Sequence, residues 1–492
     1  MFTKHWRFFP QISKVYQTLE VFSKTIYGTY ICPLIRNASD RVENSPKSSS
    51  GALKNAYKNP FIPKIRCTLT ITMKKPELLS PAGTLKNMRY AIAYGADAVY
   101  AGQPRYSLRV RQNDFNKLNN LERGLQQAHA QGKKFYVTTN ILPHNAKLKT
   151  FIADITPIIE MQPDALIMAD PGLIMLVLER WPQIPIHLSV QANTMNYAAV
   201  KFWQQLGITR IILSRELSLE EIAEIRQQCP DIELEVFIHG ALCIAYSGRC
   251  LLSGYINHRD ANQGTCTNAC RWNYKLHQAK EDESGIYLLE EKDRPGKYMP
   301  IFEDENGTYI MNSKDLRAIQ QVGRLMEIGI DSLKIEGRTK SHYYAARTAQ
   351  VYRQAIDDTV AGKPFDKKLM AELDKLANRG YTEGFYRRHQ PSESQNYQNY
   401  HIGGSNNTQQ FVGEVLGHDE KTGLLEIAVK NHFELGDNLE LMRPQGNLHF
   451  TLEHLENQQG ENITVAPGSG HTVRVRAPAS DEVACGLLLK EL

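Results

Sequence analysis

Four of the eight cysteines in this chain lie in one segment, HGALCIAYSGRCLLSGYINHRDANQGTCTNACRWN, which covers residues 239–273. Cys243, Cys250, Cys266 and Cys270 follow the pattern C-x6-C-x15-C-x3-C. Thiolates gathered in this way can hold a metal centre, because the cysteine thiolate is a strong ligand for zinc and for iron–sulfur clusters. The segment is therefore the first candidate for a site that carries out chemistry.

The spacing of the cysteines leaves more than one kind of centre open. Structural zinc sites usually contain two C-x-x-C pairs, and this segment has none, whereas an iron–sulfur cluster tolerates wider spacing because it is larger than a single ion. Nearby cations would stabilise a negatively charged cluster, and Arg249, Arg259 and Arg271 lie within the segment. The pattern favours an iron–sulfur cluster, with structural zinc and four buried thiols as the alternatives.

The composition is typical of a globular protein and excludes several other classes. The 492 residues are 42% hydrophobic and 23% charged, and the formal net charge is +5. A mildly basic chain is compatible with a nucleic-acid partner without requiring one. No run of about eighteen apolar residues is present, so we expect no membrane span. Eight cysteines are too few for a disulfide scaffold at this length, which predicts a reducing compartment, the cytoplasm.

Residues 1–72 differ in character from the rest of the sequence. They are basic, poor in acidic residues and without a helical or strand period, and they end where Met73 and two lysines lead into ELLSPAG. A transit peptide, a disordered tail and an incorrectly extended start before Met73 are the alternatives, and we expect the extended start. A secretory signal is not expected, because no apolar h-region precedes a small-residue cleavage site.

From residue 75 onward, short apolar strands alternate with amphipathic helices. Continuous apolar strands are expected where helices cover both faces of a parallel sheet. Eight strands, each followed by a helix, indicate a (β/α)8 TIM-like barrel. A doubly wound sheet is the alternative, but no G-x-G-x-x-G follows the first strand. The predicted strands are 77–80, 97–102, 134–140, 165–170, 185–191, 210–214, 233–240 and 332–337.

The rest of the sequence predicts how the chain is divided. The barrel is predicted over residues 73–362, with the cysteines and a hairpin insertion in the long segment after the seventh strand. Residues 363–408 are predicted to be a helical segment followed by a polar linker. Short strands separated by turn residues then predict a small all-β domain over residues 409–492, expected to be a closed β-barrel, with a sandwich as the alternative.

Polar residues follow the predicted strands, and catalysis in such barrels takes place at the C-terminal strand ends. His239 suits acid–base chemistry or a contact with the metal centre, with a structural histidine as the alternative. Glu336 suits a general base, with an ion pair to Arg338 or Lys340 as the alternative. The other polar residues expected at this rim include Ser80, Tyr100, Asn140, Asp170, Gln191, Ser214 and Arg215.

The same segments carry a resemblance to a known family. The stretch ELEVFIHGALCIAYSGRCLLSGY, residues 233–255, resembles the signature of the collagenase-like peptidase family of unknown catalytic type. Other blocks of that family are matched in the expected order by ELLSPAG, DAVYAG, LSVQANTMN, NQGTCTNACRW and SLKIEGRTKS. The likeness extends from about Lys74 to the last residue. HRDANQGTCTNACRWNY, RGYTEGFYRRH and the C-terminal β domain resemble one branch, whose members modify tRNA.

The resemblance implies that the peptidase label is partly historical and that the chain is a tRNA uridine hydroxylase. Prephenate, or a derivative of it, would be the cosubstrate, and the wobble uridine of the anticodon stem-loop would become 5-hydroxyuridine. The resemblance also implies a 4Fe-4S cluster on Cys243, Cys250, Cys266 and Cys270. The last of these is the nearest remaining thiol, although some relatives place their fourth cysteine further along the chain.

Such a reaction needs cations for the two carboxylates of prephenate and flat surfaces for the base. His239, Arg215, Arg338 and Glu336 are the expected catalytic residues. Further cations expected near the barrel mouth are Arg105, Arg109, Arg111 and Lys340. The aromatic residues expected there are Tyr100, Tyr106, Tyr246, Tyr255 and Trp272.

Two other functions stay open as alternatives. A peptidase needs a nucleophile or a metal-bound water, and the sequence contains neither an H-E-x-x-H nor a G-x-S-x-G motif. A thiol protease with Cys243 and His239 would leave the other three cysteines unexplained. A non-catalytic tRNA-binding or assembly factor would share every motif described above.

Overall fold

The computed structural model describes residues 74–108, 113–242, 314–378, 380–387, 408–419, 421–478 and 483–492. Between residues 243 and 313 it describes only the backbone of three strands. The four clustered cysteines and the segment 1–73 lie outside the described residues.

Eight parallel strands form a closed barrel, as the sequence predicts. Numbered along the chain, the strands are β1 (Glu77–Pro81), β2 (Ala98–Gly102), β3 (Lys134–Thr139), β4 (Ala165–Met168), β5 (Ile186–Leu188), β6 (Arg210–Ile212), β7 (Glu233–Ala241) and, after four short strands, β12 (Ser332–Ile335). Neighbours in this order pair in parallel, and β12 pairs with both β7 and β1, which closes the cylinder.

A helix lies between each pair of successive barrel strands and after the last one. The helices are α1 (Leu85–Ala93), α2 (Leu118–His129), α3 (Asn145–Glu160), α4 (Pro171–Arg180), α5 (Tyr197–Gln205), α6 (Leu219–Gln228), α7 (Val322–Ile328) and α8 (His342–Val360). Side chains cap several N-termini, because the first backbone N–H groups of a helix lack partners within it. Ser218 and Glu221 form a reciprocal capping box at the start of α6.

The chain between β7 and α7 contains the predicted insertion. Three strands pair antiparallel there, β8 (Ile286–Glu290), β9 (Tyr298–Asp304) and β10 (Gly307–Tyr309). Strand β11 (Asp315–Arg317) then pairs antiparallel with the end of β7, and β13 (Tyr381–Thr382) pairs with β11. These two short strands extend the barrel sheet beside β7.

A second core lies in the C-terminal all-β domain, which follows the short helix α9 (Lys368–Asp374). Its strands are β14 (Gln409–Asp419), β15 (Leu424–Val429), β16 (Phe433–Glu434), β17 (Asn438–Met442), β18 (Leu448–Thr451), β19 (Leu455–Asn457), β20 (Val465–Ala466), β21 (Thr472–Arg476) and β22 (Leu487–Glu491). Seven of them form one antiparallel sheet over an apolar cluster that includes Ile427, Leu441 and Val475.

The C-terminal domain is held against α1 and α8 by buried polar contacts. The hydroxyl of Tyr94 donates to the carbonyl oxygens of Met442 and Cys485, at 3.0 and 2.9 Å. Arg347 of α8 lies 2.8 Å from Glu440, and both side chains are fully buried. Burial raises the pKa of Glu440, but Arg347, together with Gln409 and Lys375, outweighs that effect and lowers the pKa to about 2. The carboxylate is therefore charged near neutral pH and fixes the domain through an ion pair.

Within the described residues, no helix is long and apolar enough to cross a membrane.

Candidate functional site

A cavity of about 110 Å³ opens at the C-terminal ends of the barrel strands. It lies where barrel enzymes carry their active sites. The residues that line it come from β2 to β7 and β12 and from the segments that follow them. They are Tyr100, Leu108, Thr138, Asn140, Ile167, Ser189, Val190, Gln191, Ile212, Arg215, Phe237, Ala241, Lys334, Glu336 and Arg338.

One side of the cavity is charged, and we call it the charged half: Arg215 after β6, and Lys334, Glu336 and Arg338 from the end of β12. Counted over the described lining residues, three cations and one carboxylate give a formal charge of 3 − 1 = +2. Arg215 Nη2 lies 3.4 Å from Glu336 Oε2. Arg338 Nη1 donates to Ser107 Oγ at 2.7 Å. The charged half therefore suits an anionic group.

Two glycines make room for this arrangement. Gly240 has φ +103, and a Cβ atom there would lie 2.5 Å from the carbonyl oxygen of Glu336. Its absence lets β7 approach the end of β12 closely and brings Glu336 to the cavity. A Cβ atom on Gly102 would lie 2.8 Å from Nη1 of Arg338. The side chain of Arg338 therefore reaches Ser107 across a position that only glycine leaves open.

Aromatic rings lie beneath the cations. Arg215 Cζ is 3.7 Å from the ring centre of Phe237, and Lys334 Nζ is 4.4 Å from that of Tyr100. Such contacts stabilise a cation electrostatically, more strongly when water is excluded. The hydroxyl of Tyr100 donates to the carbonyl oxygen of Ile335 at 2.8 Å, which fixes the ring. The cations are thus held in defined positions.

Lys334 is supported from inside the barrel by a chain of buried ion pairs. Its Nζ donates to Glu235 Oε1 at 2.7 Å, and both side chains are almost fully buried. Arg210 lies on the other side of Glu235, at 3.2 Å, and also 2.6 Å from Glu77 at the start of β1. Burial lowers the pKa of Lys334, an effect that Glu235 opposes. A network of ion pairs therefore connects the charged half to the barrel interior.

The opposite side of the cavity carries uncharged polar groups, and we call it the neutral half: Asn140 after β3, and Ser189 and Gln191 after β5. Gln191 Oε1 accepts hydrogen bonds from Asn140 Nδ2 at 2.6 Å and from Ser189 Oγ at 2.8 Å. Asn140 Nδ2 also donates to Ser189 Oγ at 3.1 Å. Because these bonds cross between two segments, they hold the three side chains in one arrangement.

His239 lies outside the lining of this cavity. It is 1% exposed and surrounded by the rings of Tyr344, Tyr352 and Tyr381. Its Nδ1 lies 3.3 Å from the hydroxyl of Tyr352. Burial lowers the pKa of His239 to about 3, so the ring is neutral near pH 7. A buried, neutral ring among aromatic side chains is the environment expected of a structural histidine. The predicted acid–base or cluster-contacting role of His239 stays a prediction.

The structure separates the other predicted rim residues into several groups. Arg215, Glu336 and Arg338 meet at the cavity, and Glu336 is paired there with Arg215. Arg105 points away and binds Asp154, and Tyr106 is fully buried with its hydroxyl on the same carboxylate. The positions outside the described residues are Arg109, Arg111, Cys243, Tyr246, Cys250, Tyr255, Cys266, Cys270 and Trp272.

Among the seven residues of the charged and neutral halves, Lys334 and Ser189 were not singled out by the sequence. A lysine within the apolar run SLKI of a barrel strand was the available signal for Lys334, because such strands are otherwise apolar. Ser189 carried no signal of its own, since a serine after a strand is common in turns. Its role depends on Asn140 and Gln191, which lie far apart in sequence.

Two protein-family models match this chain, one over the barrel and one over the C-terminal domain. Residues 83–396 match the model of Peptidase family U32, and residues 407–489 match that of the Peptidase family U32 C-terminal domain. The chain belongs to peptidase family U32. This confirms the resemblance carried by residues 233–255 and the blocks around them.

Curated members of the family include close relatives. The chain is 63% identical over 445 residues to tRNA hydroxylation protein P of Escherichia coli (strain K12), with 85% of this chain and 97% of that protein covered. It is 59% identical to the protein of the same name from Haemophilus influenzae, with 86% and 97% covered. A more distant relative is the 23S rRNA 5-hydroxycytidine C2501 synthase of Escherichia coli, 32% identical with 80% and 56% covered.

Proposed function

We propose that the chain is a tRNA hydroxylase that converts the wobble uridine of the anticodon to 5-hydroxyuridine. The observation that supports this most is 63% identity over 97% of the length of a tRNA hydroxylation protein. A second relative, the 23S rRNA 5-hydroxycytidine synthase, also has a name that refers to a hydroxylated pyrimidine in RNA. The peptidase name then describes the family's history rather than this chain's reaction.

Prephenate, or a derivative of it, is the proposed cosubstrate, and the charged half of the cavity is its proposed site. Prephenate carries two carboxylates, and a guanidinium group binds a carboxylate with two parallel hydrogen bonds. Arg215 lies 3.4 Å from Glu336, Arg338 lines the same half, and Lys334 lies there with its buried counter-ion Glu235. In this assignment Arg215 and Arg338 bind and orient the dianion, and the buried walls exclude water.

A 4Fe-4S cluster is proposed on Cys243, Cys250, Cys266 and Cys270, whose four thiols are the donor set that such a cluster requires. The described structure adds one supporting observation. Ala241, at the end of β7, lines the cavity, and Cys243 follows two residues later in the chain. When bound, such a cluster supplies one-electron transfer.

Mass spectrometry of tRNA nucleosides tests this proposal. A strain that lacks the gene, and also lacks any oxygen-dependent enzyme that forms the same nucleoside, is complemented with the full chain or with its Cys243→Ala variant. We expect 5-hydroxyuridine and its derivatives to disappear in the deletion strain and to return only with the unaltered chain. Unchanged nucleosides in the deletion strain would reject the hydroxylase and lead back to a protease screen.

Protein purified without oxygen provides a second, independent measurement. We expect a brown protein with a broad visible shoulder and about four irons per chain. Colourless protein with one zinc per chain would contradict the cluster and indicate a structural zinc site instead. Cys243→Ala is expected to lose the colour while it still binds tRNA, because the proposed base and cosubstrate contacts lie on other residues.

A further inference from the structure

We propose that the carboxamide of Gln191 selects uracil over cytosine by donating a hydrogen bond to O4 of the base. This inference rests on the proposed function, since it assigns a residue to recognition of the nucleotide that is hydroxylated. It concerns the neutral half of the cavity, to which the proposed cosubstrate site assigns no role.

The orientation of the Gln191 amide follows from its neighbours. The backbone N–H of Leu108 donates to Asn140 Oδ1 at 3.4 Å, so the Nδ2 group of Asn140 faces the other way. That group donates to Gln191 Oε1 at 2.6 Å, and the hydroxyl of Ser189 donates to the same oxygen at 2.8 Å. Two donors therefore face the oxygen of Gln191, and its nitrogen must point elsewhere.

Within the part of the chain that the structure describes, the nitrogen of Gln191 is a donor without an acceptor. Gln191 is 2% exposed, and its Nε2 atom has no hydrogen-bond partner among the described residues. A buried N–H group without a partner is destabilising, and most such groups in proteins are satisfied by protein, water or ligand. Because Gln191 lines the cavity, the structure offers this donor to whatever occupies the cavity.

The two pyrimidines differ at the atom that such a donor reads. Uracil carries the acceptor O4 at position 4, as thymine does, whereas cytosine carries the N4 amino group, which is itself a donor. RNA-modifying enzymes read an unstacked base through hydrogen bonds to its edge. A fixed donor in the wall accepts uracil and places two donors against each other when cytosine enters. The preference for uracil therefore comes both from the hydrogen bond to O4 and from the repulsion between the two donors when cytosine is bound.

The donor could also meet a carboxylate of the cosubstrate, since both are sp² oxygens. The position in the barrel favours the base. Gln191 follows β5, whereas the cations Lys334 and Arg338 lie at the end of β12, three strands further around the barrel, and the third cation, Arg215, is already paired with Glu336. A dianion gains more from those cations than from a neutral amide.

Anaerobic hydroxylation of two anticodon stem-loop RNAs tests the proposal, one with uridine and one with cytidine at the wobble position. Wild-type protein should prefer the uridine substrate by about a hundredfold or more in kcat/KM. Gln191→Leu keeps the approximate volume and removes the donor. It should lower kcat/KM for the uridine RNA by about tenfold to a hundredfold and reduce the preference, with the KM for prephenate unchanged.

A second variant reverses the group that faces the cavity. In Asn140→Asp the carboxylate can only accept, so the Gln191 amide is expected to turn, donate to Asp and present its oxygen to the base. That oxygen matches the N4 amino group of cytosine. The preference should therefore fall further than in Gln191→Leu and shift toward the cytidine RNA. Gln126→Leu, on the exposed face of α2, is the matched control and should behave as wild type.

The outcomes separate this inference from the proposed function. If the wild type hydroxylates neither RNA, the proposed function fails, and equilibrium binding of the two stem-loops then reports on Gln191 alone. If the wild type is active but Gln191→Leu retains its full preference, the inference is overturned. A change confined to the KM for prephenate would also overturn it, by assigning the donor to the cosubstrate. Should Gln191→Leu fail to fold, Gln191→Met is measured in its place by the same criteria.

Discussion

The two halves of the cavity are built in different ways. In the charged half, Lys334 and its neighbours depend on ion pairs that run through the barrel interior from Glu77 to Glu235. In the neutral half, Asn140, Ser189 and Gln191 are held by hydrogen bonds among three side chains at the rim. Charges need compensation wherever water is absent, whereas neutral groups need only a partner. The charged half is therefore coupled to the stability of the whole barrel.

This difference predicts which half tolerates change. Removing one member of a buried ion pair leaves a charge without compensation and is strongly destabilising. Removing one hydrogen bond between neutral side chains has a smaller effect, because other partners can remain. We therefore expect substitutions beneath the charged half to act on folding, and those in the neutral half to act mainly on substrate selection.

The largest effect is expected for Glu235→Gln. The carboxylate lies between Lys334 and Arg210, and it is 0% exposed. Without it, both cations lose a buried counter-charge, and the free energy of unfolding should fall by about 3–5 kcal/mol. Chemical denaturation followed by circular dichroism measures this change.

The double variant Glu235→Gln/Lys334→Met is the control for that measurement. Removal of the cation together with its counter-ion should restore a large part of the lost stability, since a buried pair can often be replaced by uncharged side chains. Equal stability of wild type and Glu235→Gln would show that the ion pairs do not support the charged half, and the contrast between the two halves would fail.

A smaller but still large effect is expected for Arg338→Met. This arginine is 8% exposed and lines the cavity on the charged half. Loss of a charge-assisted hydrogen bond to a carboxylate should lower kcat/KM for prephenate by about a hundredfold, or about 2.7 kcal/mol. Arg105→Met is the matched control, because Arg105 binds Asp154 outside the cavity. Equal losses of kcat/KM in the two variants would contradict the assignment of prephenate to the charged half.

The sequence predicted the barrel well, because the signal for each strand is local. Apolar runs placed every barrel strand, but the run over 185–191 was too long at its end. The strand stops at Leu188, and Val190–Ala192 forms a 3-10 turn that ends at Asn193 in the left-handed region. That turn carries Gln191 to the cavity. The sequence PIHLSVQ gives no sign of such a turn, because it contains neither glycine nor proline after Leu188.

The sequence was less informative about which side chains face the cavity. A two-residue period places His239 on the same face of β7 as Glu235 and Phe237. The pairing of β7 with β12 shifts register between Lys334 and Ile335, and the partner of Ile335 is His239 rather than Ile238. Such an irregularity re-aims the side chains that follow. His239 consequently packs against Tyr344 and Tyr352 of α8.

The pH dependence of stability tests the environment of His239. Its pKa is about 3 in the folded protein, because burial disfavours the charged ring, and about 6.5 in the unfolded chain. The unfolded chain therefore binds the additional proton first, and stability falls as the pH falls from about 6.5 toward 3. The contribution of this residue is about 1.4 kcal/mol per pH unit at most within that window.

His239→Phe should remove this part of the pH dependence and keep hydroxylation at pH 7.5. Unfolding by urea at several pH values measures the slope. The exposed His432 of the C-terminal domain provides the matched control, as His432→Phe should leave the slope unchanged. Loss of hydroxylation in a folded His239→Phe protein would instead support the catalytic role, and an unchanged slope would contradict the low pKa.

The smallest effect is expected for Ser189→Ala in the neutral half. This change removes the hydroxyl that donates to Gln191 Oε1, while Asn140 continues to donate to the same oxygen at 2.6 Å. The amide of Gln191 therefore keeps its orientation, and the free energy of unfolding should fall by only about 1 kcal/mol. The kcat/KM for the uridine RNA should fall by about threefold, with the KM for prephenate unchanged. A loss of stability as large as that of Glu235→Gln would mean that the neutral half is coupled to the barrel in the same way as the charged half.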